Sequence, residues 1–259
     1  MRTPITTQVT TLVTAGKDTD LIGLAVADVD PSAPLDLSLP DEALVVILHG
    51  VLAIEVDGEG LGQAGGRANV FEAQADAVYL PPGSRATLTA VGSAASVAIA
   101  TAPLADAPAA KARIIKPADQ RVNDVGQGNW ARRVRTILGP EHEAGRLLVG
   151  ETINPPGNWS SYPPHKHDEH RPPLEVQLEE VYLFKVDPPG GFGVQLRYDD
   201  DGEDVRTVRD GDVAVITSGY HPVVAAPGYS LYYLWVMAGN GRVMAPFLQP
   251  QHAWFQQSG

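Results

Sequence analysis

The chain has 259 residues, with 19 Lys and Arg against 31 Asp and Glu, a formal charge of −12. That length suits one large or two small domains, and 44% apolar residues exclude wholesale disorder. Cysteine is absent, which excludes disulfides, thiolate nucleophiles and every Cys-ligated zinc or iron–sulfur site. The acidic balance argues against nucleic acid or an anionic membrane as the main partner. The opening MRTPITTQVTTLVTAGKD lacks the apolar core of a signal peptide. No run approaches the ~18 apolar residues that span a bilayer. The expectation is a soluble cytoplasmic protein.

With 26 Gly and 22 Pro, breakers are too frequent for a helical protein and suit short strands joined by turns. In chain order, EALVVILHGVLAIEVDG (Glu42 to Gly58) is dense in Val, Ile and Leu and ends at Asp57-Gly58, a strong hairpin signal. ADAVYL (Ala75 to Leu80), RATLTAV (Arg85 to Val91) and ASVAIATA (Ala95 to Ala102) follow, the first pair separated by Pro81-Pro82-Gly83. The Ala- and Pro-rich stretch from Thr101 to Gln120 reads as an interdomain connection. Beyond it come ARRVRTIL (Ala131 to Leu138), RLLVGETI (Arg146 to Ile153), EVYLFKV (Glu180 to Val186), GVQLRY (Gly193 to Tyr198), DVAVIT (Asp212 to Thr217) and YSLYYLWVMA (Tyr229 to Ala238). Strands this short and frequent predict an all-β fold of antiparallel barrels or sandwiches.

The two halves share a weak repeat. DAVYLPPGSRATLTAVG (Asp76 to Gly92) aligns without a gap on DVAVITSGYHPVVAAPG (Asp212 to Gly228). Asp76 falls on Asp212, Gly83 on Gly219 and Gly92 on Gly228, so the identities mark a strand start and turn glycines. We read two copies of one β module, residues 1–110 and 111–259. In this register Arg85 stands where the second copy has His221, and the first module is expected to be metal-free and to support folding or association.

Three of the seven histidines crowd into GNWSSYPPHKHDEH (Gly157 to His170). On a strand, His165 and His167 would face one side. LEEVY, with Glu180, and GYHPV, with His221, follow downstream. Three imidazoles and a carboxylate can hold a divalent ion and leave positions open for water or substrate. His170, among charged neighbours, reads as solvated, and His49 as structural.

H-x-H, then Glu, then His after a Gly turn resembles the cupin pattern, and the chain looks like a bicupin. GNWSSYPPHKHDEH, LEEVYLFKVDPPGGFGVQ, SGYHPVVAAPGYSLYYLWVMAG and the closing Trp254 resemble the 5-deoxyglucuronate isomerase family of bacterial myo-inositol catabolism. They are similar, more distantly, to the 5-keto-4-deoxyuronate isomerases. GRANVFEAQADAVYLPPG (Gly66 to Gly83) extends the resemblance into the first half.

The resemblance implies a two-barrel cupin with one metal in the C-terminal barrel, most often zinc, with manganese, iron or nickel as other candidates. Its ligands carry over onto His165, His167, Glu180 and His221; Glu180 is preferred to Glu179 and Glu175 because it directly precedes Val-Tyr. The implied reaction is aldose–ketose isomerisation of 5-deoxy-D-glucuronate to 5-dehydro-2-deoxy-D-gluconate. Where the family has Arg directly after Gln, this chain has Gln195-Leu196-Arg197. Removing a proton α to a carbonyl requires a proton carrier, and a metal-bound hydroxide, Glu179, Tyr182, Tyr232 and His252 stay open for that role. The uronate carboxylate calls for a cation, with Arg133, Arg135 and Arg242 available beside Gln195. A small uronate substrate and a homo-oligomer are expected. A metal-dependent dioxygenase and a non-catalytic sugar-acid-binding cupin are the rival readings.

Overall fold

The computed structural model describes residues 7–104, 110–252 and 254. The first six residues of the opening segment and residues 105–109 of the Ala- and Pro-rich connection lie outside them. Two compact units emerge: residues 1–120 with 141–147, and residues 121–140 with 148–259. The division therefore falls after Gln120 rather than after residue 110. The reason is strand pairing: Arg113–Ile115 joins Ala77–Leu80 and so belongs to the first unit.

In the first unit, a six-stranded sheet runs in the order Val9–Val13, Gly23–Val29, Ala95–Ala102, Glu42–His49, Ala77–Leu80, Arg113–Ile115. A four-stranded sheet runs Leu35–Ser38, Arg85–Ala90, Val51–Val56, Glu59–Gly65. The pairings between these strands are antiparallel. The apolar run Glu42–His49 is buried at every position but the last, and Val45, Ile47, Leu52, Leu88 and Val97 form part of its core. The hairpin expected at Asp57-Gly58 joins Val51–Val56 to Glu59–Gly65. Both turn residues have positive φ, 51° and 83°, as a two-residue turn matched to strand twist requires.

Residues 141–147 return to this unit from the second half of the chain and meet a buried carboxylate. Glu42 accepts hydrogen bonds from the backbone N–H groups of Gly145, Arg146 (2.7 Å) and Leu147 (2.9 Å) and from the Tyr79 hydroxyl (2.8 Å). A charge with no exposure is thereby hydrogen-bonded on both oxygens.

The second unit repeats the plan. Its six-stranded sheet is Arg121–Val125, Arg132–Leu138, Leu148–Asn154, Ser230–Gly239, Leu178–Asp187, Val213–Ile216, and its four-stranded sheet is Trp159–Ser160, Val223–Ala225, Gly193–Tyr198, Glu203–Val208. His165–Lys166 pairs separately with Phe247–Leu248. Glu42–His49 and Leu178–Asp187 begin 136 residues apart, as do Ala77–Leu80 and Val213–Ile216, the offset read from the repeat. The matched turn glycines share one conformation: φ is +86° at Gly83 and +85° at Gly219, +80° at Gly92 and +83° at Gly228. Among the described residues, no helix is long and apolar enough to cross a membrane.

Candidate metal centre and cavity

Strand Leu178–Asp187 alternates its side chains, so Glu180, Tyr182 and Phe184 share one face. Glu180 lies opposite Met237 on one neighbouring strand and Ile216 on the other. It is buried, and two histidines reach it from separate loops. His167 follows the short strand His165–Lys166, and its Nε2 lies 3.2 Å from Glu180 Oε2. His221 follows the Gly219 turn, and its Nε2 lies 3.3 Å from the same oxygen. One ligand atom from each of His167, Glu180 and His221 lies within 4.8 Å of the others.

The far side of each ring fixes its proton. His167 Nδ1 is 2.7 Å from the Leu178 carbonyl, and His221 Nδ1 is 2.9 Å from the Gly219 carbonyl. A carbonyl only accepts, so each Nδ1 donates and each neutral ring turns the lone pair of Nε2 inward. Two lone pairs then face a buried carboxylate, three acceptors with no donor between them. Burial by itself raises the Glu180 pKa, but the two imidazoles set against it outweigh that and hold the carboxyl at about 2. A divalent cation resolves the same conflict with neutral rings, and a backbone carbonyl orienting each ligand is the usual outer support of such a site. His221 Nε2 is buried without a hydrogen-bond partner, as a ligand atom would be.

His165 completes the group. Its ring centre is 5.0 Å from that of His221 and 6.3 Å from that of His167. Burial, and then the neighbouring imidazoles, push its pKa down to about 3, so it is a neutral donor. Among the described residues, the other cluster of acidic groups is Asp168, Glu169 and Glu175, already matched by Lys166 and Arg171.

Beside the histidines opens a cavity of about 170 Å³. The strand register orders its floor. Glu180 lies beside Met237; two residues along, Tyr182 lies beside Trp235; then Tyr233 lies beside Thr152, and Thr152 beside Val134. Tyr182 and Tyr233 stack at 4.4 Å, and their hydroxyls hydrogen-bond to Ser161 (3.0 Å) and Ser160. Arg132, two residues before Val134, also lines the cavity.

The structure distributes the sequence candidates unevenly. His165, His167, Glu180 and Tyr182 line the cavity, and His221 stands against them. Glu179 falls on the opposite strand face from Glu180. Tyr232 likewise points away from Tyr233 and donates to Glu151. His252 sits beside Tyr162, ring centres 6.4 Å apart, and is not among the cavity residues. None of Arg133, Arg135, Arg242 and Gln195 lines the cavity. Arg133 pairs with Asp124 at the surface, Arg135 lies 3.7 Å from buried Glu151, and Arg242 donates to the Gly139 carbonyl. Gln195 instead donates to the His221 carbonyl at 2.8 Å, so it steadies the turn that presents His221. The guanidinium in the cavity is that of Arg132. Arg132 differs from Arg133 and Arg135 in strand parity, and with Val134 it takes the inner face.

A family model described as KduI/IolB matches residues 3–255. The chain belongs to the KduI/IolB family. A protein of Geobacillus kaustophilus named 5-deoxy-glucuronate isomerase is 42% identical over 220 residues, 84% of this KduI/IolB chain and 79% of its own. Another of that name, from Bacillus licheniformis, is 36% identical over 246 residues, 93% and 89% of the two chains. Among solved structures, an IolB-like protein of Salmonella typhimurium superposes with a TM-score of 0.86 at 33% identity, covering 91% of this chain and 90% of that one. Lactobacillus farciminis oxalate decarboxylase shares the fold alone, with a TM-score of 0.65 at 12% identity over 98% of this chain and 86% of that one. The KduI/IolB chain is thus an all-β bicupin.

Proposed function

We propose that this chain is a divalent-metal-dependent aldose–ketose isomerase that converts 5-deoxy-D-glucuronate to 5-dehydro-2-deoxy-D-gluconate in cytoplasmic myo-inositol breakdown. The observation that carries the reading is the convergence of His167, His221 and Glu180 in a buried group at one end of a small cavity, in a chain whose relatives bear that enzyme's name. His165, His167, Glu180 and His221 would hold the ion, and their nitrogen and oxygen donors suit zinc, manganese, iron or nickel, with zinc first. When bound, the ion supplies Lewis acidity to a carbonyl and its neighbouring hydroxyl, stabilising enediolate charge.

The remaining work falls to side chains. Tyr182 lies between Ser161 and Glu180, and burial raises its pKa well above 10. A phenol so held stays protonated, so its part is to donate a hydrogen bond to the developing oxyanion rather than to act as a base. Ser160 and Tyr233 offer a second hydroxyl pair for the substrate's own hydroxyls. Trp235 and Met237 give the floor apolar surface.

Metal-loaded protein should convert 5-deoxyglucuronate in a proton NMR assay without added cofactor or oxygen, and chelation should abolish the conversion. In deuterium oxide, deuterium should enter the ketose at the carbon that was the aldehyde. If the aldose is left intact where an authentic isomerase consumes it, the proposal fails; oxygen uptake in its place would favour a dioxygenase.

A further inference from the structure

We infer that Arg132 is the anion anchor of this cavity, binding the carboxylate of a sugar acid whose carbonyl end lies at the His/Glu group. The inference rests on the isomerase reading for the orientation of the substrate, and on geometry for the residue.

Arg132 opens the strand Arg132–Leu138 and is half-buried. Its Nη1 donates to the Trp130 carbonyl at 3.2 Å, and its guanidinium carbon lies 5.8 Å from the centre of the Trp130 ring. Among the described residues that line the cavity, the one carboxylate is Glu180, which the histidines engage, so no acidic side chain there answers the guanidinium. Nε of Arg132 is buried without a hydrogen-bond partner. A buried guanidinium donor left open is costly unless a ligand fills it, and the planar fork matches a carboxylate with two parallel hydrogen bonds.

The register gives the cavity two unlike ends. From Glu180 the floor passes Tyr182, then Tyr233 and Thr152, then Val134, and reaches Arg132 at the opposite end. Arg132 lines the same cavity as the stacked phenols of Tyr182 and Tyr233. A ligand that satisfies both ends carries an anion at one terminus, oxygens that can chelate at the other, and hydroxyls between them for Ser160, Ser161 and the two tyrosines. That is the chemistry of an open-chain uronic acid. A neutral aldose of the same length would leave Arg132 open.

The test compares 5-deoxyglucuronate with 5-deoxyglucose, in which a hydroxymethyl group replaces the carboxylate. Calorimetric binding to metal-loaded wild type should favour the acid by roughly 10–100-fold, the value of a charge-assisted hydrogen-bond pair. In Arg132→Gln the acid should weaken to near the neutral sugar while the neutral sugar binds within about twofold of wild type, and Arg132→Lys should lose part of the preference, since a point charge keeps attraction but not the fork. Metal content should be unchanged in both. Wild type without a preference, or a preference that survives Arg132→Gln, overturns the assignment. If Arg132→Gln does not fold, a full preference retained in Arg132→Lys overturns it instead. The binding ratio reads Arg132 whether or not turnover occurs, so a preference that collapses in the variant while no ketose forms would defeat the isomerase reading and leave the anchor standing.

Discussion

Asp168 Oδ2 accepts a hydrogen bond from the backbone N–H of Gly219 at 2.7 Å. Asp168 directly follows His167, and Gly219 opens the turn that presents His221. One carboxylate therefore ties together the two loops whose imidazoles meet at Glu180. Gly219 can take part because its φ of +85° aims the N–H at Asp168, and any Cβ there would lie 2.8 Å from the Tyr198 carbonyl oxygen.

Breaking this tie should loosen the metal without removing a ligand. Asp168→Ala is expected to weaken divalent-ion binding by roughly 10–100-fold, the usual effect of losing an outer-shell support. Asp168→Asn, which keeps an acceptor oxygen, should lose less. Competition against a chromophoric chelator measures both, and an Asp168→Ala protein with wild-type affinity would show that the loops hold their positions unaided.

The ligands themselves should differ in weight. His167 and His221 face Glu180 directly, so His167→Ala or His221→Ala should bring bound metal far below the ~1 ion per chain expected of such a site. His165→Ala should retain weakened binding, because His165 stands outside the tightest three. Elemental analysis after gel filtration decides the matter; stoichiometric metal in a His165→Ala, His167→Ala double variant would sink the site.

The first unit should depend on Glu42. Replacing it by Ala leaves three backbone N–H groups and the Tyr79 hydroxyl without their acceptor. Each buried orphan costs on the order of 1–3 kcal/mol. Glu42→Ala should therefore lower the melting temperature by roughly 10 °C or more, while the exposed Glu59→Ala control should stay close to wild type. Differential scanning calorimetry distinguishes these outcomes, and equal melting of the two variants would count against the clamp.

Alkali should expose a contribution from Tyr198. Its hydroxyl donates to Gln249 at 2.7 Å, and burial, with smaller effects from Tyr220 and Tyr162, raises its pKa to about 12. The unfolded phenol titrates near 10. Below that pH both states keep the proton and the stabilisation is fully present. As pH rises from about 10 to about 12 the unfolded state releases the proton first, so stability falls across that window. Tyr198→Phe should flatten this part of the alkaline denaturation profile. An unchanged slope in the variant would assign the pH dependence to other groups.

Much of this protein was legible before folding. Asp57-Gly58 predicted its hairpin because few residue pairs tolerate two positive φ angles in succession. The repeat offset of 136 was readable because Gly83 and Gly219, and Gly92 and Gly228, occupy turns where a side chain is strained. The H-x-H pair and the downstream Glu and His pointed to a metal group by residue type alone.

What the sequence left undecided was parity and return. In Ala131 to Leu138, Arg132 and Arg133 are neighbours, and a shift of one residue sends either guanidinium inward. Only the pairing of Val134 with Thr152, and of Thr152 with Tyr233, settles that Arg132 enters the cavity while Arg133 meets Asp124 in solvent. The same parity separates Glu180 from Glu179 and Tyr233 from Tyr232. The return of residues 141–147 to the first unit was likewise unreadable, because the acceptor that holds them, Glu42, lies some hundred residues away. Composition and local spacing determined which chemical groups this protein possesses and where its turns fall, since those depend on single residues and their neighbours. Which groups face one another was decided by long-range strand register, a property of the paired sheets and not of any one segment.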